Sequence, residues 1–384
     1  MKECTKCCHP ETHDGITFDE GGVCAVCNQN KLKKEKIDWE QRKEWLRELC
    51  DKYRGKYAYD CVVPYSGGKD STYTLLYLMK EMNMKPLVVS FDHGFYRPLH
   101  LENRERTFKK MGVDFIGFKA SWKIVRETML ESLKRKGDFC WHCHCGIGAG
   151  TMQVAIRWGI PLVFWGQPES EYGCQGYTYE EIEVVDEEQF NRYKHLGIPA
   201  EDMVGMLPGW VKLRDLATFM YPKYDEWKKV GVVSVRLGSY IPWDPRAMAG
   251  VIRDELGWEF TTVEGIPEEY GWEKVECMFQ GIRDYLKFIK RGFGRTNHLV
   301  SIDIREGRKS REEGKKLIAQ YDGKRPASLD LFLQLLGLSE DEFMDITMKH
   351  CVAPYKHDPS QVERAEPLWD QHMWGGMLAA FTKE

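Results

Sequence analysis

No apolar run in the 384 residues approaches the roughly twenty needed to cross a bilayer. The opening MKECTKCCHPETHDG has no apolar stretch of the secretory kind. Strong charge of one sign is missing too: 55 Lys and Arg face 59 Asp and Glu, a net −4, which argues against non-specific nucleic-acid binding. Internal repeats, low-complexity tracts, a GxxxxGK(S/T) phosphate loop and a glutaminase signature are all absent. These absences predict a globular chain of two to three domains, at about 100–200 residues each, expected in the cytoplasm without membrane or nucleic-acid partners.

Cysteine, by contrast, is plentiful. Of thirteen cysteines, most fall in two clusters, and the total is odd. Without a secretion signal that distribution favours metal or thiol chemistry over a disulfide framework. Cys4-x2-Cys7 and Cys24-x2-Cys27 form two knuckles sixteen residues apart, the spacing of a Cys4 zinc ribbon. So short a head buries little core, and metal would supply most of its folding free energy. Cys8, His9 and His13 are spare ligand candidates beside it.

Residues 38 to about 180 alternate short apolar strands with helical segments, the pattern of a parallel sheet with crossover helices. Strands are expected over 59–65, 87–92, 115–118 and 161–165, with helices over 71–82, 99–110, 122–134 and 147–158. The expected domains are a zinc-ribbon head at 1–37, an α/β domain at 38–180 and a mostly helical region at 181–384. In that last region an apolar stripe over 275–289 stops at Gly292 and Gly294, and capping boxes open helices at Ser310 and Ser339.

The most informative segment is Ser66-Gly67-Gly68-Lys69-Asp70-Ser71, between a strand and a helix. Two glycines allow the backbone to turn sharply so that several N–H groups converge at a helix N-terminus, an arrangement suited to phosphate. Lys69 adds positive charge, Ser66 and Ser71 add hydroxyls, and Asp70 would cap the helix or help hold Mg²⁺. The next strand ends at Asp92 and His93, at the carboxyl edge where ligands of open parallel sheets sit.

The second cluster, Cys140-Trp-His-Cys143-His-Cys145, falls between expected helices. It admits a second metal at Cys140 and Cys143, an iron–sulfur cluster, a redox pair, or small buried residues opening a helix. Residues 290–316 carry nine basic against four acidic side chains, a local +5 in an acidic chain. Their arginine forks suit an anionic substrate, and a solvated helix face is the alternative.

SGGKDS after a β-rich run resembles the signature of the PP-loop ATP pyrophosphatases. Together with the Cys-rich head, the Cys140/Cys143 pair, Trp165-Gly-Gln-Pro-Glu169-Ser-Glu171-Tyr172, Tyr240-Ile-Pro-Trp243-Asp and the run from Phe288 through Arg295, His298, Arg305 and Arg308 to Gly323, the chain resembles the N-acetyl sugar amidotransferase family of bacterial surface-polysaccharide biosynthesis. Cys145 and Cys174 depart from the pattern.

The resemblance implies a PP-loop α/β fold, ATP, Mg²⁺ and Zn²⁺ as cofactors, and conversion of an acetamido group on an activated sugar or nonulosonic acid into acetamidino. Ammonia would come from a separate glutaminase and cyclase-like complex. Ser66, Gly67, Gly68, Lys69, Asp70, Ser71, Asp92 and His93 would bind ATP, with Ser66, Lys69 and Asp70 catalytic. Arg295, Arg305 and Arg308 would meet the sugar's anionic groups, and Glu169 and Glu171 would orient ammonia or substrate. The rival readings are a tRNA-thiolating PP-loop enzyme, which predicts a strongly basic surface, and a zinc-organised binding module with a vestigial nucleotide site.

Overall fold

A computed structural model describes residues 1–171, 177–191 and 195–365. Tyr172 and Cys174 lie outside them. Five parallel strands form one sheet: β1 (Cys61–Pro64), β2 (Pro86–Asp92), β3 (Asp114–Lys119), β4 (Leu162–Trp165) and β5 (Val233–Arg236), in spatial order β3-β2-β1-β4-β5. Val62 of the central strand pairs with Leu87 on one side and Val163 on the other. The connections are helical, as parallel pairing demands. Helices α1 (Ala25–Glu35) and α2 (Trp39–Tyr53) precede the sheet, α3 (Lys69–Lys80) and α4 (Pro98–Met111) join its first three strands, and α5 (Trp122–Lys136) and α6 (Trp141–Arg157) lead to β4.

Short helices α7 (Glu187–Gln189), α8 (Ala200–Met203) and α9 (Tyr224–Val230) lead on to β5. Beyond the sheet come α10 (Pro245–Leu256), α11 (Gln280–Arg291), α12 (Arg295–Arg305), α13 (Arg311–Tyr321), α14 (Ser328–Leu336) and α15 (Glu340–Met348). No helix among the described residues is long and apolar enough to cross a membrane.

β1 is buried along its whole length, and its side chains feed two cores because strand residues alternate faces. Cys61 and Val63 pack with Leu75, Leu78 and Trp243, whereas Val62 packs with Leu87, Met152 and Val163. The fold is the expected parallel sheet with flanking helices, an N-terminal cysteine cluster and a helical C-terminal region. Both capping boxes form, Ser310 with Glu313 and Ser339 with Glu342.

Two boundaries differ from expectation. β5 joins the sheet from beyond residue 180, where the sequence reading closes the α/β domain. A four-residue run is too short for periodicity to separate strand from helix. The Cys140–Cys145 segment does not lie between helices but opens α6, with Cys140 at the N-cap.

Candidate functional site

Strand order reverses at β1, whose neighbours are β2 and β4. The loop leaving β1 therefore stands at the switch point where open parallel sheets bind ligands. Within it, Gly67 has φ +80°, and a Cβ there would lie 1.8 Å from His100 Cε1. Backbone conformation and space both require glycine. The Gly67 N–H donates to Ser71 Oγ at 3.1 Å and the Gly68 N–H to Ser66 Oγ at 3.4 Å. Two amides thus turn inward at the N-terminus of the 12-residue α3, the positive end of its dipole.

Lys69 and Asp70 fall in the first turn of α3, two residues earlier than the expected helix start. Lys69 Nζ lies 2.9 Å from Asp70 Oδ2 and 2.6 Å from Glu273 Oε2, and 5.2 Å over the Trp272 ring. On its far side Glu273 Oε1 is 3.4 Å from Arg295 Nη1, and Arg295 Nη2 is 3.1 Å from Asp284 Oδ1. A chain of alternating charge therefore runs from the loop into α12. Burial would lower the Lys69 pKa, but Asp70 and Glu273 outweigh it and hold the ammonium above its ordinary value. Burial would raise Glu273, yet Lys69, Lys274 and Arg295 bring it down to about 2.

Beside the loop, Asp70 Oδ1 and Glu276 Oε2 are buried without a hydrogen-bond partner. A Cβ on Gly68 would sit 2.9 Å from that same Glu276 oxygen. Orphaned carboxylate oxygens next to a phosphate-type loop fit a hard divalent cation such as Mg²⁺.

Asp92 ends β2 and His93 follows it, at the carboxyl edge of the sheet. Asp92 accepts from the Gly94 N–H at 2.8 Å and pairs with Lys119 at 3.2 Å. His93 accepts from the Phe95 N–H through Nδ1 at 3.1 Å, which leaves the proton on a buried Nε2. Burial, then His142 and His100, push its pKa well below the ordinary value. His100, stacked on Tyr96 at 4.3 Å, is held down to about 4 by burial and Arg104.

The other expected site residues separate. Arg295 joins the Lys69 chain, but Arg305 is buried among groups that include Cys7, Cys27 and Glu171. Arg308 pairs with Asp303 at 2.6 Å and Asp244 at 2.7 Å. Glu169 pairs with Arg236 at 2.7 Å. Glu171 takes Lys33 of α1 at 2.8 Å and the Tyr179 hydroxyl. Both glutamates thus make structural bonds around β5 and the head. Cys140 and Cys143 lie in the electrostatic surroundings of Cys277. Burial raises Cys143 to about 12 and Cys277 to about 11.

Cys4, Cys7, Cys24 and Cys27 are buried, with Cys4 and Cys27 sulfurs 3.8 Å apart and Cys7 and Cys24 sulfurs 3.7 Å apart. Sulfurs about 2.3 Å from a tetrahedral centre are separated by roughly 3.8 Å, so the four fit one metal ion. Disulfides, at about 2 Å, are excluded. The described residues hold one further cluster of mutually close ligand atoms, His9, His13 and His298, and neither cluster contains Cys140 or Cys143.

Sequence reasoning missed Glu273, Glu276, Asp284 and His100. They fall outside any motif and become neighbours of the loop only through the fold.

Residues 264–368 match the family model for LPS biosynthesis protein WbpG-like, C-terminal domain. This C-terminal part of the chain is similar to that WbpG-like domain. Glu273, Glu276, Asp284 and Arg295 all lie inside this WbpG-like part, whereas Lys69 and Asp70 lie outside it. An uncharacterized protein of Methanocaldococcus jannaschii is 26% identical over 168 residues, 43% of this chain and 58% of that protein. A GMP synthase (glutamine-hydrolyzing) of Thermosipho africanus is 22% identical over 207 residues, 53% of this chain and 38% of that protein. The chain spans about half the length of these curated relatives. Among solved structures, NMN synthetase from Francisella tularensis is similar at 11% identity and TM-score 0.27, over 51% of this chain and 94% of that one. The U34-tRNA thiolase NcsA from Methanococcus maripaludis, solved with its 4Fe–4S cluster, is similar at 13% identity and TM-score 0.29, over 83% and 89%.

Proposed function

We propose that this protein is an ATP-dependent PP-loop enzyme of surface-polysaccharide biosynthesis that converts an acetamido group on an activated sugar or nonulosonic acid into acetamidino. One observation carries the reading: the charge chain Lys69–Glu273–Arg295–Asp284 couples the SGGKDS loop to the WbpG-like domain. The relative named for glutamine hydrolysis fits a reaction that consumes ammonia, here supplied by a separate glutaminase complex.

An amide carbonyl is a weak electrophile. Its oxygen attacks the α-phosphorus of ATP, pyrophosphate leaves, and an imidate adenylate forms. Ammonia adds to the imidate carbon, a proton is lost, and AMP departs with the original oxygen to leave the amidine. The Gly67 and Gly68 amides and the α3 N-terminus bind the phosphates, the serine hydroxyls rotating aside as an anion takes the N–H bonds. Mg²⁺ held by Asp70 and Glu276 would neutralise pyrophosphate charge. Lys69 keeps Asp70 and Glu273 aligned, and Arg295 holds Glu273 from its other side. The Cys4 set would hold a structural Zn²⁺, since four protein ligands leave no open position.

The test supplies ATP, Mg²⁺, ammonium and an N-acetylated nucleotide sugar or nonulosonate, then measures pyrophosphate and product mass. Pyrophosphate and a product about one mass unit lighter are expected, because NH replaces O. Pyrophosphate release only with tRNA and a sulfur donor would overturn the reading in favour of thiolation.

A further inference from the structure

Away from the phosphate loop, His9 and His13 of the head meet His298 of α12, with ligand nitrogens mutually within 4.8 Å. Asn297 sets the tautomer of His9. Its amide N–H donates to the Cys8 carbonyl at 2.8 Å, which leaves Oδ1 to accept from His9 Nδ1 at 2.9 Å. His9 therefore carries its proton on Nδ1 and turns a lone pair outward from Nε2. That Nε2 is buried and has no hydrogen-bond partner. A metal-binding imidazole commonly has this form, with one nitrogen donating to a fixed oxygen and the other free to coordinate.

We propose that His9, His13 and His298 form a second metal site, distinct from the four cysteines, for a divalent transition ion of the zinc class. Three imidazoles suit such an ion and leave a fourth position for a non-protein ligand. Nearby positive charge is the main objection, and the structure answers most of it. Arg295 is paired with Glu273 and Asp284. Arg305 is buried beside the cysteine cluster, whose four thiolates with one dication carry a net negative charge. Arg291 is paired with Asp14. Lys287 is left, its Nζ 4.2 Å over the Phe293 ring that stacks on His13 at 5.3 Å. A single cation beside a dication favours an anionic fourth ligand over neutral water. His298 lies one helical turn from Arg295, so that ligand would adjoin the charge chain.

The experiment grows the full-length protein in cobalt-supplemented minimal medium and combines metal counting with the optical spectrum. It needs no sugar, so its outcome is independent of the proposed reaction. Wild type should show a tetrahedral cobalt signal without sulfur-to-metal charge transfer, beside any thiolate-bound metal. His298→Ala and His13→Ala should each lose about one equivalent, and it should be the thiolate-free signal that goes. A wild-type spectrum of thiolate-bound cobalt alone would overturn the proposal even if the histidine variants fail to fold. Folded histidine variants with unchanged metal content would overturn it as well.

Discussion

Lys69 and Glu273 each bring a full charge to a place with 5% side-chain exposure. Their mutual attraction offsets a desolvation cost of several kcal/mol per ion only while both are present. Glu273→Gln should therefore destabilise the protein by about 3 kcal/mol, measured by urea unfolding at neutral pH. The pH dependence has a definite sign. Glu273 is held at about 2, below its ordinary 4.5, so its contribution is present above pH 4.5 and is lost as pH falls toward 2. The gap between wild type and Glu273→Gln should close across that window, and a constant gap would refute the ion pair. Gly67→Ala tests the loop separately. Its φ of +80° and the His100 ring in the Cβ position predict a loss of at least about 1–3 kcal/mol and of ATP binding, readable by calorimetry. The loop was legible in the sequence because both glycines, the lysine and the helix start are local features. Glu273 was not, since nothing local distinguishes a buried carboxylate from a solvated one.

At the scale of elements, helices announced themselves through caps. Ser310 and Ser339 open α13 and α15 with the capping boxes their sequences spell out, because a box is complete within four residues. β5 has no such signal, and its membership depends on pairing with β4. The cysteine head is an intermediate case. Its ligands were visible, but not where it docks. Arg311 of α13 donates to the Cys7 and Cys4 carbonyls at 2.9 and 3.2 Å, and Asn297 of α12 donates to Cys8. The head thus braces the helix that presents Arg295. Metal binding to such a small module supplies on the order of 10 kcal/mol of its folding free energy. Cys24→Ser, or prolonged chelation, should unfold the head and raise hydrogen exchange in α12 and α13, while β1 and β2 stay protected. Unchanged exchange in α12 would show that the head does not brace it.

Over the whole molecule, the candidate site draws on segments some two hundred residues apart. The loop at 66–71, His100 at the start of α4 and the 273–295 stretch meet only when the helical region closes over the sheet. The basic run 290–316 shows why sequence alone misassigned part of it. Arg295, Arg305 and Arg308 share a positive segment, yet α12 and the turn after it send them to the charge chain, the cysteine head and Asp303 with Asp244. Linear charge density says nothing about those directions. If Lys69 and Arg295 act as one unit through Glu273, their removal cannot be additive, because each substitution disturbs the carboxylate on which the other depends. A double-mutant cycle with Lys69→Met and Arg295→Met should give single variants each reduced on the order of 100-fold or more in pyrophosphate release. The double variant should be little worse than the weaker single. Multiplication of the two losses would mean that the loop and the WbpG-like domain contribute separately, Lys69 to nucleotide and Arg295 to acceptor, with Glu273 only filling space between them.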